Sequence, residues 1–154
     1  MDNQPVQSPP AGPTFDLATH VRNFATSVSL GLVDEKGVPV AGVHGREGAR
    51  GAITGGANFG ADLIEMAPGG TFELHVHEGA HILYVVGGKG ILTVGDAKYQ
   101  LVPETSVFVP AELPHAVSAL ESHDGQPLTF LAVGYPHQPV DSRRRMHTVE
   151  PGLA

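Results

Sequence analysis

Cysteine is absent from this 154-residue sequence, and lysine and arginine together number only nine. The lack of cysteine excludes disulfide bonds, thiolate metal ligands and a cysteine nucleophile. The formal charge of −7 argues against nucleic-acid binding, because phosphate neutralisation requires clustered lysine and arginine. No segment approaches the roughly eighteen apolar residues of a membrane span, and the amino terminus lacks the basic and apolar regions of an export signal. We therefore expect a cytoplasmic protein with neither a nucleic-acid nor a membrane partner.

The length and the apolar content of 41% are those of one domain with a substantial core. Four prolines among glutamine, serine and glycine predict a flexible leader over residues 1–14. A single domain is expected over 15–140, followed by a C-terminal tail over 141–154. The only basic run, 143–145, is expected to be solvated in that tail.

Short apolar runs separated by turn residues recur along the chain at intervals of about eight to twelve residues. The predicted strands lie over 27–33, 38–43, 59–66, 71–77, 81–86, 90–94, 97–102, 106–109, 116–120 and 128–133. Only 15–24 shows a possible helical pattern of apolar residues. The fold is therefore predicted to be all-β, and closure into a barrel or jelly roll would remove the exposed strand edges.

A glycine-rich stretch begins at residue 45 and continues to about residue 58. It has neither the GK[ST] signature nor a following helix, so we exclude a phosphate-binding loop and predict a mobile loop near the mouth of a pocket. His44, Arg46 and Arg50 would there complement an anionic substrate.

Four of the nine histidines form a pattern typical of a metal site. His75 and His77 are two residues apart, so on a strand both imidazoles point to one face. A turn at Gly79 would bring His81 back on the next strand, and His115 follows a proline-bounded turn as a fourth ligand from a closing strand. A helix would instead pair His77 with His81 and exclude His75, but the β-branched run after His81 favours strands. The remaining histidines, His20, His44, His123, His137 and His147, show no such clustering and are not predicted to bind the metal.

With these residues in place, the chain resembles the cupin superfamily over about residues 57–135. The first cupin motif is matched by Gly69, His75, His77 and Gly88, with His81 in the position that is usually acidic. The second motif is matched more loosely, at Gly95, Pro103, Pro110, Pro114 and His115. The resemblance implies a cupin double-stranded β-helix, that is, a jelly-roll barrel, with extra N-terminal strands.

The resemblance to small four-histidine cupins also implies one divalent transition metal per subunit, with manganese, iron or copper favoured and nickel or zinc possible. Four neutral imidazoles leave such a metal with its full +2 charge, which favours anionic ligands. Our leading hypothesis is a dioxygenase or oxygenase that acts, with dioxygen, on a small enolisable or phenolic molecule. The alternatives are a non-redox isomerase, epimerase or lyase, and a module that only binds a small ligand. A homodimer is expected through the apolar strands over 27–43, unless those strands cover their own barrel.

Two carboxylates are candidate catalytic residues. Strand alternation would place Glu73 on the interior face beside His75, as a base or as a partner of an imidazole, although a solvated position at the barrel mouth is the alternative. Asp62 lies on the strand that precedes the first motif. Strand alternation groups Phe130 with Ala132, and the resemblance implies that these two face the substrate pocket, where Asp62 and Ile64 would lie opposite them.

Overall fold

A computed structural model describes residues 13–53, 55–150 and 152 of the chain. Its elements are α1 (Leu17–His20), β1 (Ser29–Val33), β2 (Pro39–Ala52), β3 (Asn58–Met66), β4 (Thr71–Val76), β5 (Ala80–Gly87), β6 (Gly90–Val94), β7 (Ala97–Leu101), β8 (Ser106–Val109), β9 (His115–Ala119), β10 (Leu128–Tyr135) and β11 (His147–Thr148). The predicted all-β fold is confirmed, and the possible helix over 15–24 is reduced to a single turn. Residues 1–12 of the predicted leader lie outside the described part. None of the described helices is long and apolar enough to cross a membrane.

Two antiparallel sheets face each other across one core. The larger has the strand order β1-β2-β3-β10-β5-β8, and the smaller has the order β11-β4-β9-β6-β7. Alternation along β10 buries Leu128, Phe130 and Ala132 and leaves the residues between them partly exposed. Since each sheet turns such a face inward, the apolar side chains meet between the sheets, as in a jelly roll.

The glycine-rich stretch is a strand over much of its length, so our prediction of a mobile loop over 45–58 is wrong for residues 45–52, which belong to β2. Its glycines allow close packing. A Cβ atom at Gly45 would lie 2.7 Å from Val140 Cγ1, and one at Gly48 would lie 2.5 Å from the carbonyl oxygen of Ala61. Glycine content therefore reflects crowding of the strand and not a turn.

The C-terminal segment is part of the folded domain. Val140 is fully buried in the core, and β11 pairs with β4 through His147 opposite Val76 and Thr148 opposite His75. The residues just before β11 are thereby brought against the strand that carries His75. At the other end of the chain, β1 and β2 extend the larger sheet of the same chain.

Candidate metal centre

Three histidines converge between the two sheets. His75 lies on β4 directly opposite His115, the first residue of β9, and His77 lies just beyond the end of β4. All three are buried, and each offers one ring nitrogen such that the three atoms lie within 4.8 Å of one another. Their spacing is that of ligands around a single ion.

Each of these imidazoles is fixed by a hydrogen bond to the backbone. The Nδ1 atoms of His75, His77 and His115 lie 2.7, 2.6 and 2.8 Å from the carbonyl oxygens of Glu73, Gly79 and Leu113, respectively. A carbonyl oxygen can only accept, so each Nδ1 carries the proton and donates it. The Nε2 lone pair of each ring is therefore available to a metal, in the tautomer that metal-binding histidines usually adopt.

His81 lies beside this group, on β5. Its ring centroid is 4.3 Å from that of His77, with the two rings edge to face. Its Nδ1 atom is buried and has no hydrogen-bond partner among the described residues. Room for the ring is made by Gly134, where a Cβ atom would lie 2.6 Å from His81 Nε2. A buried imidazole nitrogen without a partner is costly unless something binds it, so His81 suits a metal as well.

Burial keeps the four imidazoles neutral. Desolvation and the neighbouring His115 lower the pKa of His75 to about 3, and desolvation and His77 lower that of His81 to about 3. Desolvation also lowers the pKa of His77, to about 4, and it lowers the pKa of His115. Neutral imidazoles are the form that binds metals, so these residues are ready to bind one at pH 7.

The histidines line a small cavity of about 50 Å³ whose other walls are mainly apolar. The remaining lining residues are Leu32, Ile64, Phe72, Leu83, Val117, Phe130, Ala132, Arg145 and Met146. Three of the residues expected in the pocket, Ile64, Phe130 and Ala132, are thus in the lining. No described lining residue carries a carboxylate or a hydroxyl group.

Glu73 is not in this cavity. Our prediction that it shares the interior face with His75 is wrong, because the pairing of β4 with β9 shifts register between Phe72 and His75 and the strand alternation breaks there. Phe72 and His75 are therefore both buried, while Glu73 is exposed and lines two other surface cavities. Only its backbone carbonyl reaches the site, as the acceptor for His75.

Asp62 does not face the cavity either, so our prediction that it lies in the pocket is wrong: it is almost completely buried and is not among the lining residues, because its carboxylate is engaged by His137 and Arg145. Its Oδ2 atom accepts hydrogen bonds of 2.8 Å from His137 Nε2 and from Arg145 Nη1. Burial alone would raise the pKa of Asp62, but the hydrogen bond from His137 and the charge of Arg145 outweigh it and lower that pKa. Asp62 is therefore an ionised partner of Arg145, which does line the cavity.

Sequence reasoning missed His137 and Arg145. Arg145 was expected to be solvated, yet its side chain is only 10% exposed. The cations expected near the pocket instead bind elsewhere, Arg46 to the carbonyl oxygens of Phe24 and Ser27 and Arg50 to Glu47. Little in the sequence indicated this position for Arg145, which lies only two residues before the short strand formed by His147 and Thr148.

Comparison with known proteins agrees with this architecture. Residues 62–134 match the family model described as Cupin domain. The polyketide cyclase RemF from Streptomyces resistomycificus has a similar structure, with a TM-score of 0.63 and 20% identity over 86% of both chains. A cupin-2 domain from Rhodospirillum rubrum gives a TM-score of 0.59 and 20% identity over 86% of this chain and 82% of that one. KdgF from Halomonas sp. gives a TM-score of 0.55 and 21% identity over 64% of this chain and 83% of that one. These structural similarities show a common fold. No curated protein sequence matches the chain.

Proposed function

We propose, from the match of residues 62–134 to the cupin-domain family model and from the shared fold, that this chain is a cupin that acts as a metal-dependent enzyme on a small enolisable or phenolic molecule. His75, His77, His81 and His115 would hold one divalent transition metal. The observation that carries the proposal is the set of three Nδ1–H donors bound to backbone carbonyls, which leaves the Nε2 lone pairs free on three imidazoles that each place one ring nitrogen within 4.8 Å of the others. Preorganised neutral imidazoles of this kind have little structural use except to bind an ion.

When bound, a divalent metal supplies a Lewis acid for a carbonyl or phenolic oxygen and, if it is redox-active, a centre that reacts with dioxygen. The chain itself supplies the surroundings. Apolar side chains such as Leu83, Phe130 and Met146 line the cavity and disfavour water next to a bound substrate. The nearby cation, Arg145, favours a substrate oxygen that carries negative charge.

Oxygen-dependent chemistry is our first candidate for the reaction. Isomerases, epimerases and lyases usually need a side chain that takes up and returns a proton. Among the described lining residues the titratable groups are the four imidazoles and Arg145, and the imidazoles are taken up as ligands. A reaction that requires little proton transfer by the protein, such as oxidative cleavage of an already ionised enol or phenol, suits this lining best.

A non-redox reaction is the second candidate, favoured by the Arg145 guanidinium, which would stabilise an enolate without any oxidant. The fold is shared with a protein named a polyketide cyclase. Cyclisation of an enolisable chain therefore joins isomerisation, epimerisation and lyase chemistry among the reactions to assay. A protein that binds metal and ligand without turnover would be a binding module.

Metal analysis of the purified protein, followed by activity assays, tests the proposal. The parent should contain about one equivalent of manganese, iron or copper per chain, and His75→Ala should contain none. His123→Ala, which removes an exposed imidazole, is the matched control and should retain the metal. Oxygen uptake with acetylacetone or catechol would support the oxygenase, and anaerobic turnover of an enolisable substrate would support the non-redox enzyme. Undiminished metal in His75→Ala would refute the site.

We also propose that the protein is a homodimer, even though β1 and β2 join the larger sheet of their own chain. Sedimentation velocity would show a species of about twice the 16.1 kDa chain mass. A single species at the chain mass would refute this assembly.

A further inference from the structure

The guanidinium of Arg145, whose side chain is 10% exposed, is held beside the histidine cavity through only one of its three nitrogens. Its Nη1 atom donates to Asp62 Oδ2 and to the carbonyl oxygen of Gln138, both at 2.8 Å. These two bonds use both Nη1 hydrogens. Within the described residues, the Nε and Nη2 groups donate to no protein acceptor, so three N–H donors of the guanidinium remain for a ligand.

The contact with Asp62 is not the bidentate pair that arginine and a carboxylate commonly form. Only Oδ2 of Asp62 receives a hydrogen bond, and Oδ1 is buried without a partner among the described residues. His137 occupies the same Oδ2 atom and is itself buried. Asp62 therefore fixes one corner of the guanidinium and leaves its remaining planar edge unpaired.

The position of Arg145 follows from the pairing of β11 with β4. His147 is opposite Val76, so the preceding residues Arg145 and Met146 lie near β4, the strand that carries His75, and both line the cavity. A planar pair of N–H donors in a low-dielectric pocket suits a carboxylate, which accepts both bonds at once. The rest of the pocket, being apolar, suits the hydrocarbon body of the same molecule.

We propose that Arg145 binds a substrate carboxylate, so that the substrate is a small enolisable or phenolic carboxylic acid, an assignment that rests on the metal-dependent function proposed above. The second oxygen function of the substrate would then lie toward the four histidines. The carboxylate is bound and not transformed in this assignment, so Arg145 determines specificity and orientation.

Pyruvate and its neutral analogue pyruvamide are suitable probes, because they differ in charge and hardly in size. Their dissociation constants would be measured by isothermal titration calorimetry on the metal-loaded parent and on Arg145→Met, Arg145→Lys and Arg144→Met. Arg144 is exposed, so its variant is the matched control for loss of one positive charge. We expect Arg145→Met to lose roughly 10- to 100-fold in pyruvate affinity and little for pyruvamide. Arg145→Lys, which retains the charge without the planar fork, should lose less.

Arg145→Met leaves Asp62 as a buried charge without the guanidinium, and it could fail to fold for that reason. The double variant Asp62→Asn/Arg145→Met removes both charges and should fold, as circular dichroism would show, with the same loss of pyruvate affinity. If the folded Arg145 variants bind pyruvate as tightly as Arg144→Met does, the carboxylate assignment is wrong.

Metal analysis of the same samples separates this inference from the proposed function. Normal metal content with an unchanged preference for pyruvate would refute the role of Arg145 and leave the metal-dependent function standing. If the parent itself binds no metal, the proposed function fails. Titration of the two probes into that metal-free protein would still decide whether Arg145 recognises the carboxylate.

Discussion

Substituting Gly134 by alanine should displace His81 and weaken metal binding. A Cβ atom at this position would lie 2.6 Å from Nε2 and 2.7 Å from Cδ2 of His81, where ordinary contacts begin at 3.4 Å. The backbone at Gly134 is not in the left-handed region, so alanine is disfavoured there by the contact alone. Either the imidazole moves by close to an ångström or the strands separate, and overpacking of this kind costs about 1–3 kcal/mol.

In Gly134→Ala the His81 imidazole is displaced but still present. Loss of a partner that orients a metal ligand typically lowers metal affinity by about 10- to 100-fold, and we expect a decrease of this size here. Competition with a chromophoric chelator would measure the dissociation constant. Gly87→Ala is the matched control, because Gly87 lies on β5, the strand that carries His81, and a Cβ atom there would meet nothing within 4 Å. Equal metal affinity in the two variants would refute the assignment of His81 as a ligand.

Two further predictions concern the buried charges. In the metal-free protein, His75, His77 and His81 stay neutral down to their pKa values of about 3 to 4, whereas histidines of the unfolded chain take up protons below about pH 6.5. The unfolded state thus binds more protons than the folded state between these pH values. The free energy of unfolding should therefore fall as the pH falls from 7.5 to 5, by about 2 kcal/mol per histidine at most. Urea titrations at pH 7.5 and pH 5 would measure the difference, and an unchanged free energy of unfolding would contradict the burial of neutral imidazoles. Asp62→Asn should cost about 3 kcal/mol by denaturation because it leaves the Arg145 guanidinium without its counter-charge. Glu47→Gln, which affects an ion pair whose side chains are partly exposed, should cost less than about 1 kcal/mol, and equal costs for the two variants would refute the importance of burial.

The sequence predicted the strands well because their pattern is local. Runs such as 90–94 and 106–109 are bounded by turn residues, and the structure has strands with those same limits. The pairing of His75 with His77 was equally accessible, since residues two apart on a strand share a face wherever the strand is regular. Both inferences required only neighbouring residues.

The errors occurred where distant contacts override the local pattern. A register shift in β4, which depends on its pairing with β9, moves Glu73 to the outer face although its spacing from His75 is regular. Glycines at 45 and 48 suggested a loop, but Val140 and Ala61 crowd them in a strand. The site of Arg145 depends on a two-residue strand, β11, that no periodicity could reveal.

The charges around the cavity link the two candidate reactions. The described lining contains one formal positive charge, on Arg145, and four imidazoles that are neutral at pH 7, but no carboxylate. The counter-charge of Asp62 lies outside the lining and is shared with His137. A substrate whose enol or phenol keeps its proton at pH 7 would have to lose that proton to a group that the described lining does not supply, whereas an acidic enol or phenol ionises in water and, like a carboxylate, binds as an anion. The lack of a base and the presence of Arg145 therefore favour the same class of substrate, whether or not dioxygen takes part.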